Sequence, residues 1–440
     1  MVERYNSYKG SGVTWLEEVP EHWKEKRIKE LVLSFEQGWS PNAAGWCAEK
    51  GDFGVLKLSA ISNGMFHELN NKSLEIDRLP QNTLLTKKGT ILITRSNTPA
   101  LVADSCLVRK NPYTNLVVPD LVFCLTFNVK FVDLEFMSYS LNSSSFRWLK
   151  TISARGLNDS MVKVSQRIVK NWAVFIPPIP EQSSIAKYLN TKTAQIDRKI
   201  ELLRQKVEKY DKLKQSLIYE TVTHGLDKSV PMKDSAIDWI GEVPARWEVK
   251  PIRDFLENRT EKNLGNAETE YLSVVAGIGV IPYAEKGDVG NKKPEDLGKC
   301  KLVQPGDLVL NSMNFGIGSF GISKYKGVCS SVYIVMRAMK NNSPDFLHRI
   351  FQIKPFQKYI SSFGKGIMDI RMAIKWNDLK NIEVPFPSIS EQVCIASYLD
   401  EKTSKIDRII ETVNSQINNL KELRKTLIND VVTGKIKVVE

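Results

Sequence analysis

Two long stretches of the chain carry apolar residues at alternating spacings of four and three, which is the seam of a coiled coil. In the first these are Ile196, Ile200, Leu203, Val207, Tyr210 and Leu217, and in the second Ile406, Ile410, Val413, Ile417, Leu420 and Leu427. Each seam has one polar position, Lys214 in the first and Arg424 in the second. Prolines lead into both stretches (Pro177, Pro178 and Pro180; Pro385 and Pro387), as they do at helix starts. The pattern predicts a central helix over 181–225 and a C-terminal helix over 391–433, each about 60 Å long at a rise of 1.5 Å per residue. Elsewhere the apolar runs are short. "GTILITRSNT" from Gly89 and "GDLVLNSMNF" from Gly306 each read as a strand emptying into a polar loop, and "DLVFCLTFNV" and "SSVYIVMRA" are further strand candidates.

The matching seams belong to a larger repeat. "YKGSGVTWLEEVPEHWKEKRIKE" from Tyr8 returns 224 residues later as "MKDSAIDWIGEVPARWEVKPIRD" from Met232, pairing Trp15 with Trp239 and Trp23 with Trp247. "PPIPEQSSIAKYLNTKTAQIDRKI" from Pro177 returns 210 residues later as "PSISEQVCIASYLDEKTSKIDRII" from Pro387, pairing Glu181 with Glu391 and Gln182 with Gln392. Between the frames the copies match only weakly, as in "SFRWLKTISARG" against "PFQKYISSFGKG". The expected organisation is an N-terminal segment (1–14), a first globule (15–180), the central helix, a linker (226–238), a second globule (239–390), the C-terminal helix and a tail (434–440). The fold class is α+β: two globular α/β modules joined by two long helices that form an antiparallel, pseudo-twofold coiled coil. The four frame tryptophans are expected as core anchors, because they sit in what the copies share.

The 440 residues are 42% hydrophobic, enough for several cores, and 62 Lys+Arg against 50 Asp+Glu leave a net charge of +12. Nine basic and six acidic residues lie between Glu181 and Thr223, and six and seven between Glu391 and Thr433. The excess therefore sits mainly in the inserts, where a surface for a polyanion would need it. With no leader and no apolar run long enough for a membrane, a cytoplasmic chain is expected. The six cysteines are scattered without a CxxC pair, and His22, His67, His224 and His348 have no ligand spacing, so no metal is expected.

Catalytic motifs fail on context. Gly316, Gly318 and Gly321 match G-x-G-x-x-G, but β-rich sequence follows where a phosphate-binding helix would have to start. Asn111-Pro112-Tyr113 lacks the second proline of a methyltransferase tetrapeptide, and Pro119-Asp120 and Pro344-Asp345 have no acidic-x-Lys strand after them, so turns are the expectation. No catalytic residue and no cofactor is expected.

The frames "SGVTWLEEVPEHWK" and "SAIDWIGEVPARWEVK", each closing on "P-x-I-x-E-Q-x-x-I-A-x-Y-L" and a long helix, resemble the specificity subunit of type I restriction-modification systems along nearly the whole chain. Glu17, where the second copy has Gly241, is one departure from the pattern. The resemblance implies two target-recognition domains, each reading half of a bipartite double-stranded DNA site. It also implies helices that set the gap and dock two methyltransferase subunits, with restriction-translocation subunits able to join. Base readout needs Arg, Lys, Asn, Gln or Ser at base edges. The candidates are Arg95, Ser96 and Asn97 with Arg155, Asn158 and Lys163 in the first insert. In the second they are Asn311, Ser312 and Asn314 with Lys365, Arg371 and Lys375. Two other classes compete, a stand-alone DNA-modifying enzyme and a coiled-coil scaffold with no nucleic-acid role.

Overall fold

The computed structural model describes residues 3–438 except 75, 77–78, 159–160, 289–291 and 364–372, with the backbone alone at 155–158. It divides into two compact units, one of residues 1–202 and 415–440, the other of 203–414. The divisions fall inside both long helices, Ile179–His224 and Ile389–Val432, so each unit holds one insert and a segment of each helix.

Both units are built on the same four-stranded antiparallel sheet. In the first the order is Ser105–Leu107, Thr90–Thr94, Val122–Phe127, Val32–Gln37. In the second it is Phe320–Ile322, Leu308–Leu310, Ile334–Ala338, Leu256–Asn258. The run "TILIT" is apolar on both faces because both are covered: Ile91 and Ile93 join one buried cluster and Leu92 another, with Cys106 and Cys124. Leu308 and Leu310 part from Val309 in the same way. A pair of successive short helices recurs in each unit, Leu134–Leu141 and Ser144–Ser153 in the first, Pro344–Phe351 and Lys354–Ser361 in the second. Asp133, Ser143 and Ser343 cap three of them by accepting from backbone N–H groups of the first turn.

The helix segments run antiparallel within each unit. In the first, Ile428, Val431 and Val432 from the end of one helix share a core with Ile185 and Leu189 from the start of the other, and further along Asp197 accepts from Arg424 at 2.9 Å. In the second, Ile218 and Val222 share a core with Ile395 and Leu399, and Lys214 donates to Asp407 at 2.6 Å. The polar seam positions are thus explained: Lys214 and Arg424 each meet an aspartate of the opposing helix, and the two aspartates are equivalent under the 210-residue shift. Seam residues Ile200 and Ile417 are buried in the first unit, Ile406 and Val413 in the second.

The segments flanking the inserts are part of the units. Tyr8–Val13 forms a hairpin with Leu16–Pro20, and its counterpart Met232–Asp234 forms one with Glu242–Pro244. Ile436 and Val438 of the tail pack on the first core, and the Tyr8 hydroxyl donates to the Gly434 carbonyl at 3.0 Å. Trp23, Trp239 and Trp247 are buried as expected of core anchors, and Trp15 packs partly buried against the same core.

The repeated Glu-Gln pair ties these pieces together. Trp23 donates from Nε1 to Glu181 at 3.0 Å, and Trp247 to Glu391 at 2.9 Å. Tyr5 and His22 add to the first carboxylate and Arg246 to the second. The glutamines are fully enclosed. Gln182 donates to the Phe131 and Pro177 carbonyls at 3.0 and 2.9 Å and accepts from the Asp133 N–H at 2.8 Å. Gln392 donates to the Pro387 carbonyl at 3.0 Å and accepts from the Ser343 N–H at 2.9 Å. Removing either amide strands buried backbone groups, so Gln182→Ala and Gln392→Ala should each cost about 2 kcal/mol. Amide hydrogen exchange checks this: protection should fall first at 133–141 in one variant and at 343–351 in the other, and unchanged protection would show that the joint carries no load.

Candidate nucleic-acid interface

At the C-terminal end of the strand Thr90–Thr94 the chain leaves the four-stranded sheet through Arg95, whose N–H donates to the Leu121 carbonyl at 2.7 Å. Ser96 and Asn97 then pair with Lys163 and Val162, and Met161–Lys163 pairs in turn with Arg155–Asn158. The two candidate segments of the first insert, about sixty residues apart in sequence, form one small three-stranded sheet. The joint is closed by the Val164 N–H, which donates to the Arg95 carbonyl at 2.9 Å. The second unit repeats it, with the Ile374 N–H donating to the Ser312 carbonyl at 3.1 Å.

The side chains divide into two groups. Lys163, Asn314 and Lys375 are exposed, and partly buried Arg95 makes no side-chain hydrogen bond or ion pair among the described residues. These can meet a ligand. Ser96, Asn311 and Ser312, also expected at base edges, are buried. Ser96 donates to the Val162 carbonyl at 3.4 Å, Ser312 to the Val332 carbonyl at 2.7 Å, and the Asn311 amide oxygen accepts from the Met313 N–H at 3.2 Å, so all three hold the loop. Asn97 is partly buried and caps its own turn by accepting from the Thr98 N–H at 2.9 Å. Arg155 and Asn158 lie on the strand Arg155–Asn158, and Lys365 and Arg371 lie outside the described residues.

Further groups collect at the same end of the first sheet. Trp39, just past the strand Val32–Gln37, is 40% exposed, and its N–H donates to the Val118 carbonyl at 3.1 Å. Gly38 makes that approach possible, since a Cβ there would lie 1.7 Å from the Val118 oxygen. Exposed Met161 adds an apolar edge. In the second unit exposed Met313, Ile317 and Val332 surround the equivalent loop. The opposite end of the first sheet, at Gly89, Leu107 and Val108, lines a shallow cleft with Ile179 and Ser183 of the central helix. Sheet, helix and polar loop are therefore ordered along one direction within the unit.

Among the described residues, the motifs that resemble catalytic ones sit in other settings. Gly316 lies in a single short turn, Phe315–Ile317, and a strand follows. Gly321 is required because its Cβ would sit 2.7 Å from the Gly279 Cα. Tyr113 is exposed, with the Lys50 and Lys110 ammonium groups 5.8 and 5.1 Å from its ring centre, so it lies on a surface turn. Burial pushes the Cys106 thiol up to about 12 and Cys124 up to about 11, well away from reactive thiolates. Burial also pushes His348 down to about 4. Among the described residues no group of three or more His, Cys, Asp or Glu could hold a metal, and no helix is long and apolar enough to cross a membrane.

Comparison with known proteins adds to this geometry. The family described as the type I restriction modification DNA specificity domain matches residues 20–209 and again 244–419. The MjaVIII specificity subunit of a type I restriction enzyme from Methanocaldococcus jannaschii is 24% identical over 96% of this chain and 94% of its own length. Among solved structures, a chain from work on assembly and conformational transition of the type I R-M system superposes with a TM-score of 0.69. It is 17% identical and covers 95% of this chain and 99% of its own. The HsdS subunit of Thermoanaerobacter tengcongensis gives a TM-score of 0.51, also at 17% identity, over 95% of this chain and 98% of its own. With the family matched twice, once on each copy of the frame, the chain belongs to the type I restriction-modification DNA specificity family.

Proposed function

We propose that this chain selects the DNA sequence on which a type I complex acts and carries no catalytic centre itself, each unit reading one half of a bipartite, asymmetric duplex site. The observation that supports this reading most is a shared frame presenting two unlike loop clusters from equivalent sheet ends. In the first, Arg95 and Lys163 stand with Trp39 and Met161, and in the second Asn314 and Lys375 stand with Met313 and Ile317. Arg95 suits a guanine edge, and the lysines suit phosphates. Arg155, Asn158, Lys365 and Arg371 remain candidates on the same segments. Ser96, Asn311 and Ser312 serve by fixing loop shape.

The helices would set the unread gap between the half-sites and dock two methyltransferase subunits, with restriction-translocation subunits joining that core. The assembly would work in the cytoplasm. A stand-alone modifying enzyme has no support in the loops described above, and a pure scaffold would not need a basic, polar loop cluster on each insert.

Reconstitution with the cognate methyltransferase tests the reading, since methyl transfer to one bipartite sequence should need both proteins. Arg95→Ala should weaken discrimination at one position of the first half-site by about 1–3 kcal/mol. Lys163→Ala should instead weaken binding to all sequences alike and lower the slope of log affinity against log salt by about one. Site selection and salt titration tell these apart, and a variant pair with identical profiles would refute the assigned roles.

The ruler role has its own test. One heptad added after Leu203 and one after its counterpart Val413 keeps both seams in phase. The insertion adds about 10 Å of helix at 1.5 Å per residue, so the preferred gap should grow by at most about three base pairs at 3.4 Å per step. The half-site sequences should stay the same. An unchanged optimum in a folded, methyltransferase-bound variant would show that the helices do not set the distance.

A further inference from the structure

Beneath the loop of the first unit lies a set of charged side chains, Asp104 and Lys150 buried and Arg147 partly so. The chain leaves the sheet at Arg95 and returns to it at Ser105. On the way the N–H groups of Leu101 and Val102 donate to the Thr98 carbonyl at 3.0 and 2.8 Å, and Ala103 takes a left-handed φ of 58°. A non-glycine residue holds that conformation only where its surroundings enforce it. Arg147, on the helix Ser144–Ser153, does the enforcing: its guanidinium donates to the Val102 carbonyl and to the Asp104 carboxylate, on either side of Ala103. One turn further on, Lys150 is fully buried. Its ammonium donates to the Ser105 hydroxyl at 3.0 Å, and that hydroxyl donates to the Asn142 amide oxygen at 3.2 Å.

These charges are costly where they are. Burial, and after it the Arg147 cation, hold Lys150 well below the ordinary lysine range against the pull of Asp104. Burial likewise raises the Asp104 carboxyl in spite of Arg147 and Lys150. The second unit manages without them. Ser105 pairs with Ile93 as Phe320 pairs with Leu310, so Asp104 and Ser105 correspond to Ser319 and Phe320. Arg147 and Lys150 correspond to Gln357 and Ile360 under the 210-residue shift. Ser319, Phe320 and Ile360 are all buried, so the same sheet and helix close on uncharged residues. Since apolar replacements of buried ion networks are often neutral or stabilising, the frame does not need these ions to fold.

We infer that Arg147, Asp104 and Lys150 are positioning residues that fix the shape of the first unit's loop, so that reading of the first half-site, and not of the second, depends on them. The inference rests on the reading that each unit recognises one half-site. What the buried charges add is one loop geometry out of several that the frame would allow.

The test uses the full chain bound to its methyltransferase and a DNA library randomised in both half-sites. Asp104→Ser, Arg147→Gln and Lys150→Ile together install the second unit's own residues. This variant should keep its melting midpoint and lose about tenfold or more discrimination in the first half-site, the size of a lost base contact. The second half-site should be unaffected, and KM for cognate DNA should rise while kcat for methylation stays the same. Arg147→Lys, which keeps the charge with fewer donors, should retain part of the discrimination. An unchanged first half-site, or equal loss in both halves, would overturn the inference. If the triple variant does not fold, Lys150→Met alone is scored by the same criteria. Failure of the bipartite reading itself would look different, because the unaltered chain would then select no half-site.

Discussion

The structure turns on the joint at the start of each long helix. A tryptophan indole and a glutamate carboxylate meet there, and the next residue, an enclosed glutamine, donates to and accepts from backbone groups on both sides of the joint. The amide reaches both the lead-in to its own helix and the cap of the first short helix of the insert, so the direction of the long helix and the seating of the insert are fixed by one side chain. A buried amide is costly when left unpaired, which makes this geometry close to all-or-none. The frame can then tolerate wide divergence in the insert, because nothing in the joint depends on what the loops contain.

Specificity is added to that joint rather than built into it. In the first unit the sheet strands whose near ends face the helix carry the polar loop at their far ends, so loop residues can change without touching the Trp-Glu-Gln contacts. The two units of this specificity subunit fill the space beneath the loop differently, ionic under the first and uncharged under the second. That is the kind of difference expected where two modules share a scaffold and must read different sequences.

The sequence showed the frame and its duplication plainly, because helical period and repeated tryptophans are local signals. The same periodicity marked Lys214 and Arg424 as gaps in the seam, but not the aspartates they meet, which come from the opposing helix. The loop candidates were legible as segments and illegible as a site. Pairing of Ser96 with Lys163 is a long-range β contact with no local signature; it puts both side chains on one face, where the short serine is buried and the long lysine is exposed. Trp39 has no local signal, because it lies outside the repeated frame and its backbone is held by the close approach of Gly38 to Val118. Lys150, in "SFRWLK", looks like any solvated helix lysine until the strand carrying Ser105 is laid across it.

The central claim, that one frame carries two independent readers, is tested most directly by exchanging one of them. Residues Trp239 to Ser390 would be replaced by the matching block of a relative with a different known site, and the chimaera assembled with its methyltransferase for site selection. The account predicts that one half-site changes to that of the donor while the other half and the gap stay as they were. A chimaera that alters both halves, or neither, would contradict it.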